Sequence, residues 1–251
     1  MASATGFSNE EMFALEEFLR SCCVPIVSEQ DDKLALWGTG TFFKRGETLW
    51  LITAAHILQE VSLKELAIPI AEAGKFYTFG NCTAYYPKQD EQDLDVAIIE
   101  LQDEDFCAHV AANWRIVDTS QIVRPTVDMR RFLVAGYPRA TVAKAGGIVR
   151  EAFSQFYLDR YHQVPAGAHP LVDFFLIYGR TAMGVDGQEK STPHLAGISG
   201  ASIWAVQDNV EGVWAPEKQL KIVGVQSGFK YDEYIEAKSW ELVEQVLARS
   251  S

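Results

Sequence analysis

The sequence predicts an all-β fold with a helix near each end. From Val24 onward, short β-rich runs alternate with turn residues, as at 34–43, 48–54, 83–86 and 96–101. Strands this short and this closely spaced are typical of a barrel or a sandwich rather than of alternating βα units. Helical spacing of apolar residues marks the N-terminal and C-terminal segments.

The first predicted element is a helix over residues 8–22. Ser8 is its candidate N-cap, acidic residues occupy the first turn, and apolar residues recur at helical spacing from Met12 to Leu19. We expect this helix to pack on the outside of a barrel, within an N-terminal helical leader over residues 1–30. The alternative interpretation is that it docks a regulatory protein partner.

Two groups of strands follow the leader. The polar stretch 102–128 is predicted to connect them, with a boundary near residue 120, so that residues 31–120 form one β unit and residues 121–251 the other. The second unit is predicted to end in a helix over 231–249. Its predicted strands are 131–136, 147–156, 172–178, 200–206 and 220–226.

Composition excludes several classes of function. The net charge of −12 and the pI near 4.9 argue against nucleic acid as a partner, because neutralising phosphates requires concentrated Lys and Arg. No apolar run approaches the roughly 20 residues that cross a bilayer. The N-terminal stretch is acidic where a signal peptide would be basic and then apolar. We therefore expect a cytoplasmic protein that binds neither nucleic acid nor a membrane.

The cysteines agree with that compartment. Cys22, Cys23, Cys82 and Cys107 are too few for a disulfide scaffold, and no CxxC motif or His cluster accompanies them. We expect them to be reduced thiols. Neither a metal site nor a cofactor is predicted.

A turn in the second unit, Gly197-Ile198-Ser199-Gly200, carries a candidate nucleophile. Glycines on both sides let the main chain and a substrate approach closely, so the Ser199 hydroxyl is held clear of the backbone. The N–H groups of Gly197 and Ser199 are candidate donors to an oxyanion. An ordinary strand-entry turn is the alternative interpretation.

Two upstream stretches supply partners for this serine. His56 directly follows the apolar run 51–55. Further along the chain, either Asp93 or Asp95 precedes a second apolar run, residues 96–99. A serine hydroxyl is a poor nucleophile at its own pKa, so it needs a His as general base and a carboxylate that holds the imidazole. The chain supplies these residue types in the order His, Asp, Ser.

Three motifs, Thr53-Ala54-Ala55-His56, Asp95-Val96-Ala97 and Gly197-Ile198-Ser199-Gly200, together resemble the trypsin/chymotrypsin-like serine peptidases, including the bacterial Deg-type branch. The resemblance covers about residues 34–248, and the segment 38–42 is similar to the family's first barrel strand. It implies a double six-stranded β-barrel, with His56 and Asp95 on the first barrel and Ser199 on the second. It also favours Asp95 over Asp93, because the family's aspartate precedes a small apolar pair.

The resemblance implies a serine endopeptidase that cleaves a protein or peptide substrate through an acyl-enzyme. The composition and the added N-terminal helix suggest that this enzyme is intracellular and regulated. A binding module that keeps the fold without turnover is the alternative. Ile198 lacks the charge with which digestive members capture a newly cleaved N-terminus. The chain is therefore expected to act without such a cleavage.

The resemblance further implies a substrate pocket formed by Pro193, His194, Ser227 and Phe229. Pro193 stands where trypsin-like members carry the carboxylate that selects Lys or Arg. Phe229 stands where a glycine would leave the pocket open. A small or medium apolar residue is therefore expected before the cleaved bond.

Overall fold

The computed structural model describes residues 7–30, 33–69, 76–87, 94–139, 143–145, 148–150, 153–169, 171–183, 188–207 and 212–248 of the chain. In these residues the helices are α1 (Asn9–Cys22), α2 (Ala55–Glu60), α3 (Glu104–Asn113), α4 (Pro216–Gln219) and α5 (Trp240–Leu247). None of them is long and apolar enough to span a membrane.

The first sheet forms a half-barrel. Its strands are β1 (Cys23–Gln30), β2 (Lys33–Arg45), β3 (Thr48–Thr53), β4 (Leu66–Pro69), β5 (Phe76–Thr78), β6 (Thr83–Tyr85), β7 (Ala97–Leu101) and β8 (Val117–Asp118). They are ordered β5-β4-β1-β2-β3-β7-β6, and β8 pairs in parallel with β2. Fully buried Phe42, Leu51 and Ile99 belong to one core cluster of this sheet.

The second sheet closes into a barrel. Its strands are β9 (Arg131–Gly136), β12 (Ser154–Tyr161), β13 (Asp173–Tyr178), β14 (Thr181–Met183), β15 (Glu189–Ser191), β16 (Ser202–Val206), β17 (Leu220–Lys230) and β18 (Glu233–Ser239). Six of them follow the order β13-β18-β17-β16-β9-β12, and pairing of β12 with β13 closes the ring. A separate hairpin joins β10 (Ala143–Ala145) to β11 (Ile148–Arg150).

The predicted fold class is confirmed: a mostly β chain with one closed six-stranded barrel, a half-barrel and a helix near each end. Strand β8 ends the first sheet at Asp118 and β9 begins the second at Arg131. The predicted boundary near residue 120 lies between them.

Helix α1 packs against the outside of the second barrel. Ser8 and Glu11 form a reciprocal capping box, in which each side chain accepts a hydrogen bond from the other's backbone N–H. The Phe18 ring meets the Trp204 ring edge-on with centroids 5.5 Å apart. Phe13 faces the opposite way and is 63% exposed.

Three predicted segments differ in the structure. The run 147–156 was expected to be one strand, but the structure has two strands there, β11 and the start of β12. Residues 231–249 were expected to be helical throughout, but 233–239 form strand β18, and only α5 is helical. Strand pairing explains the difference, because β18 lies between β13 and β17 and both neighbours satisfy its backbone. The polar connection 102–128 contains helix α3, which Asp103 caps by accepting a hydrogen bond from the Phe106 N–H.

Candidate active site

Strand pairing brings the predicted base and carboxylate together. His56 lies in the first turn of α2, three residues after the end of β3, and Asp95 lies two residues before the start of β7. These strands are antiparallel neighbours, with Thr53 opposite Ala97. Residues that follow β3 and precede β7 therefore meet at one end of the sheet.

Asp95 makes two hydrogen bonds to His56. Its Oδ2 lies 2.6 Å from the imidazole Nδ1, and its Oδ1 accepts from the His56 backbone N–H at 2.8 Å. An ionised carboxylate only accepts, so Nδ1 carries the proton and Nε2 is left to accept one. The hydrogen bond to Asp95 raises the pKa of His56 above its ordinary value, against the opposing effect of partial burial.

The rival carboxylate, Asp93, lies outside the described residues. The geometry therefore places Asp95 beside His56. Both members of the described pair are partly exposed, His56 at 35% and Asp95 at 24% of their side-chain surface. The imidazole is thus reachable from solvent.

The turn that carries Ser199 is packed against the segment that leads into His56. Gly197 and Gly200 have positive φ angles of 97° and 89°, which a residue with a side chain rarely adopts. A Cβ at Gly200 would lie 2.7 Å from the Ala54 nitrogen and would also overlap the Thr53 hydroxyl. A glycine is required there because the turn sits directly on the first sheet.

Hydrogen bonds from both sheets hold this turn. The Thr39 N–H donates to the Ser199 carbonyl at 2.8 Å, and the Thr39 hydroxyl donates to the Gly197 carbonyl at 2.9 Å. On the other side, the Gly200 N–H donates to the Gln226 carbonyl at 2.8 Å. Thr39 was not predicted as a site residue, and its place inside the segment 38–42 was the only signal in the sequence.

The candidate oxyanion donors are not used elsewhere in the described part of the chain. Within it, neither the Gly197 N–H nor the Ser199 N–H donates a hydrogen bond to another residue. Ser199 is partly exposed, and its hydroxyl makes no hydrogen bond to another described residue. The structure thus joins His56 to Asp95 and places the serine's turn beside them, without a direct Ser199 to His56 bond.

The four predicted pocket residues lie on two segments near this turn: Pro193 and His194 precede it in the chain, and Ser227 and Phe229 are on strand β17. The Pro193 carbonyl accepts from the Tyr178 hydroxyl at 2.5 Å, and the His194 ring meets the Phe229 ring edge-on with centroids 4.8 Å apart. Ser227 is buried and directly follows Gln226, which binds the turn. Tyr178 was missed because its sequence context shows only a buried strand residue.

Comparison with solved structures agrees with this architecture. A thermostable serine protease, AL20, from an extremophilic microorganism matches with a TM-score of 0.56 at 10% identity, covering 94% of this chain and 98% of that one. An HtrA-type protease in complex with a tripeptide matches with a TM-score of 0.55 at 10% identity, covering 94% of this chain and 62% of that one.

An inactivated protease paralogue of the scabies mite also matches, with a TM-score of 0.52 at 13% identity, covering 93% of this chain and 96% of that one. No protein-family model and no curated protein matches the sequence. The matches to solved structures show that the chain has the trypsin/chymotrypsin-like serine protease fold. One of the matching structures is an inactivated protease, so the fold alone does not show that a chain is active.

Proposed function

We propose that the chain is a serine endopeptidase that cleaves protein or peptide substrates by acyl transfer. The observation that carries this proposal is the pair of hydrogen bonds that Asp95 accepts from His56, at 2.6 and 2.8 Å, beside the turn that presents Ser199. A carboxylate held in this way keeps the imidazole in the tautomer that can accept a proton from a serine hydroxyl.

In the proposed reaction, Ser199 Oγ attacks the scissile carbonyl carbon while His56 Nε2 takes the hydroxyl proton. The N–H groups of Gly197 and Ser199 stabilise the negative charge on the carbonyl oxygen. His56 then returns the proton to the leaving amine as the peptide bond breaks. Water, deprotonated by His56, hydrolyses the acyl-enzyme and regenerates the serine. Asp95 holds His56 throughout, and none of these steps needs a cofactor.

A binding module without turnover is the second candidate function. It is favoured by one observation, the absence of a hydrogen bond between the Ser199 hydroxyl and His56 in the described residues. Such bonds are often long in the unliganded state and tighten when substrate binds, so the observation is weaker than the His56–Asp95 pairing.

A serine-reactive fluorophosphonate probe separates the two candidates. We expect the full-length chain to be labelled, and Ser199→Ala and His56→Ala to abolish labelling. The matched control is Ser120→Ala, which removes an exposed serine in the connection between the two sheets, and this variant should be labelled normally. Absence of labelling in wild type with intact folding would support the binding module instead.

We further propose that the peptidase acts in the cytoplasm under control of a protein partner that contacts α1. The four cysteines are free, which suits a reducing compartment, and burial raises the pKa of Cys22 to about 12, which makes that thiol unreactive. Phe13 is the exposed apolar side chain through which α1 would bind the partner. Phe13→Asp should remove partner-dependent changes in labelling and leave basal labelling unchanged.

A further inference from the structure

Strand β17 has an unpaired edge beside the candidate nucleophile. Its pairing with β16 runs from Leu220 to Val225, and Gln226 then bonds to the Ser199 turn. Beyond this point the register shifts at Ser227, and residues 228–230 pair with β18 alone among the described strands. An extended peptide can add to such an edge by backbone hydrogen bonding, with its side chains alternating between two faces.

Gly228 leaves a carboxylate uncovered on one of those faces. Gly228 and Glu236 are directly opposite each other on β17 and β18, so their side-chain positions share a face. A Cβ at Gly228 would lie 3.4 Å from Glu236 Oε2. With glycine at this position, the Glu236 side chain keeps 31% of its surface exposed.

A buried ion pair holds Glu236 in place from below. Lys238 Nζ lies 2.6 Å from Glu236 Oε1 and 2.8 Å from Asp173 Oδ1. The side chains of Lys238 and Asp173 are each only 3% exposed. Asp173 Oδ2 also accepts a hydrogen bond from the His169 N–H at 2.7 Å. The Lys238 ammonium group is therefore held by both carboxylates, and it fixes the position of Glu236 Oε1.

The charges of this cluster do not cancel. Two carboxylates share one ammonium group, which leaves one negative charge in excess, and Glu236 is the carboxylate that is partly exposed. Burial tends to lower the pKa of Lys238, but hydrogen bonds to Asp173 and Glu236 outweigh it and raise the pKa. On the same face, Lys230 is paired with Glu233 at 2.6 Å, so it does not neutralise the excess.

We propose that Glu236 forms an anionic subsite that selects a Lys or Arg side chain of the substrate. The Gln226 carbonyl accepts a hydrogen bond from Gly200, the residue after Ser199, so a peptide residue whose carbonyl is attacked by Ser199 would lie opposite Ser227. The preceding peptide residue, second before the attacked bond, would then lie opposite Gly228. The fourth residue falls on the same face, since alternate side chains of a strand share a face. The selected cation is at the second or fourth position before the cleaved bond.

This inference rests on the proposed function only for the position of the cleaved bond. The subsite itself requires a bound extended peptide and no turnover. Its test can therefore use the Ser199→Ala protein, whose binding does not depend on catalysis, while the fluorophosphonate experiment judges the peptidase function separately.

The experiment is selection of displayed random hexapeptides on full-length Ser199→Ala protein. We expect Lys or Arg to be enriched at one position, and replacing that residue by norleucine to weaken binding about tenfold, typical of a hydrogen bond between charged groups. Glu236→Gln should abolish this difference while retaining a hydrogen bond to Lys238. Glu244→Gln, on helix α5, is the control with the same change of charge and should retain it.

A second variant keeps the charge and covers it. Gly228→Leu should also remove the preference, because its side chain would lie over Glu236 Oε2. Absence of basic enrichment in Ser199→Ala, or enrichment that survives Glu236→Gln in a folded protein, would overturn the proposal.

Discussion

At the scale of single residues, the proposed chemistry depends on which carboxylate holds His56. Asp95→Asn should leave the fold intact and slow turnover about 10⁴-fold, because an amide in place of the carboxylate favours the wrong imidazole tautomer. Asp93→Asn is the comparison, and it should have little effect. Steady-state kinetics on a peptide substrate measures both, and a larger loss for Asp93→Asn would make the assignment of Asp95 wrong.

The raised pKa of His56 sets the direction of the pH dependence. A general base must be neutral, so kcat/KM should fall as pH drops through a pKa above the ordinary histidine value. Glu60→Gln should move this midpoint slightly downward, because the negative charge of Glu60 makes a small contribution to the raised pKa of His56. A midpoint that does not move in Glu60→Gln, or that moves upward, would contradict the electrostatic account.

The predicted pocket for the residue before the cleaved bond also depends on individual side chains. Phe229→Gly should admit larger apolar residues, because the His194 and Phe229 rings contact each other across the predicted entrance. We expect kcat/KM for Phe over Ala at this position to rise about tenfold, within the range of hydrophobic pocket discrimination. Tyr231→Ala, an exposed aromatic on the same hairpin, is the control. Dominant cleavage after Lys or Arg would refute the pocket assignment.

At the scale of elements, the nucleophile turn can be separated into its conformational and packing requirements. Gly46 also has a positive φ, 60°, but a Cβ there would meet nothing within 4 Å. Gly46→Ala should cost roughly 1–2 kcal/mol, the penalty for a left-handed residue. Gly200→Ala should cost about 1–3 kcal/mol more, because its Cβ overlaps neighbouring backbone.

Urea unfolding measures both glycine variants, and fluorophosphonate labelling reports whether the turn survives. Labelling should persist in Gly46→Ala and disappear in Gly200→Ala. Equal losses of stability in the two variants would mean that the turn is not packed on Thr53 and Ala54 as described.

Elements were predictable from the sequence where a local pattern determines them. The β runs around His56 and Ser199 and the capped helix α1 carry their signals within a few residues. Strand β18 was predicted as helix because Ile235 and its neighbours fit a helical face, whereas the competing strand partners lie far away in sequence. Lys238 shows the same limit, since the buried Asp173 that pairs with it is 65 residues away.

At the scale of the whole molecule, the site exists because the two sheets dock through the residues that shape it. The Ser202 hydroxyl donates to the Thr41 hydroxyl at 2.8 Å, and the Tyr137 N–H donates to the Thr39 hydroxyl at 3.2 Å. Thr39 also binds the Ser199 turn, so the same side chain joins the sheets and positions the candidate nucleophile. No single stretch of sequence contains this information.

The arrangement of the N-terminal segment leads to the last prediction, that the proposed peptidase activity needs no proteolytic activation. Ile198 is fully buried in the second barrel's core and offers no carboxylate to a new N-terminus. A cut near Val24 would also free a residue that is fully buried and paired with Gly40 in the first sheet. Full-length protein, verified as intact by mass spectrometry, should therefore be labelled by fluorophosphonate. Ile198→Val should label equally, whereas labelling that appears only after cleavage near Val24 would contradict the prediction.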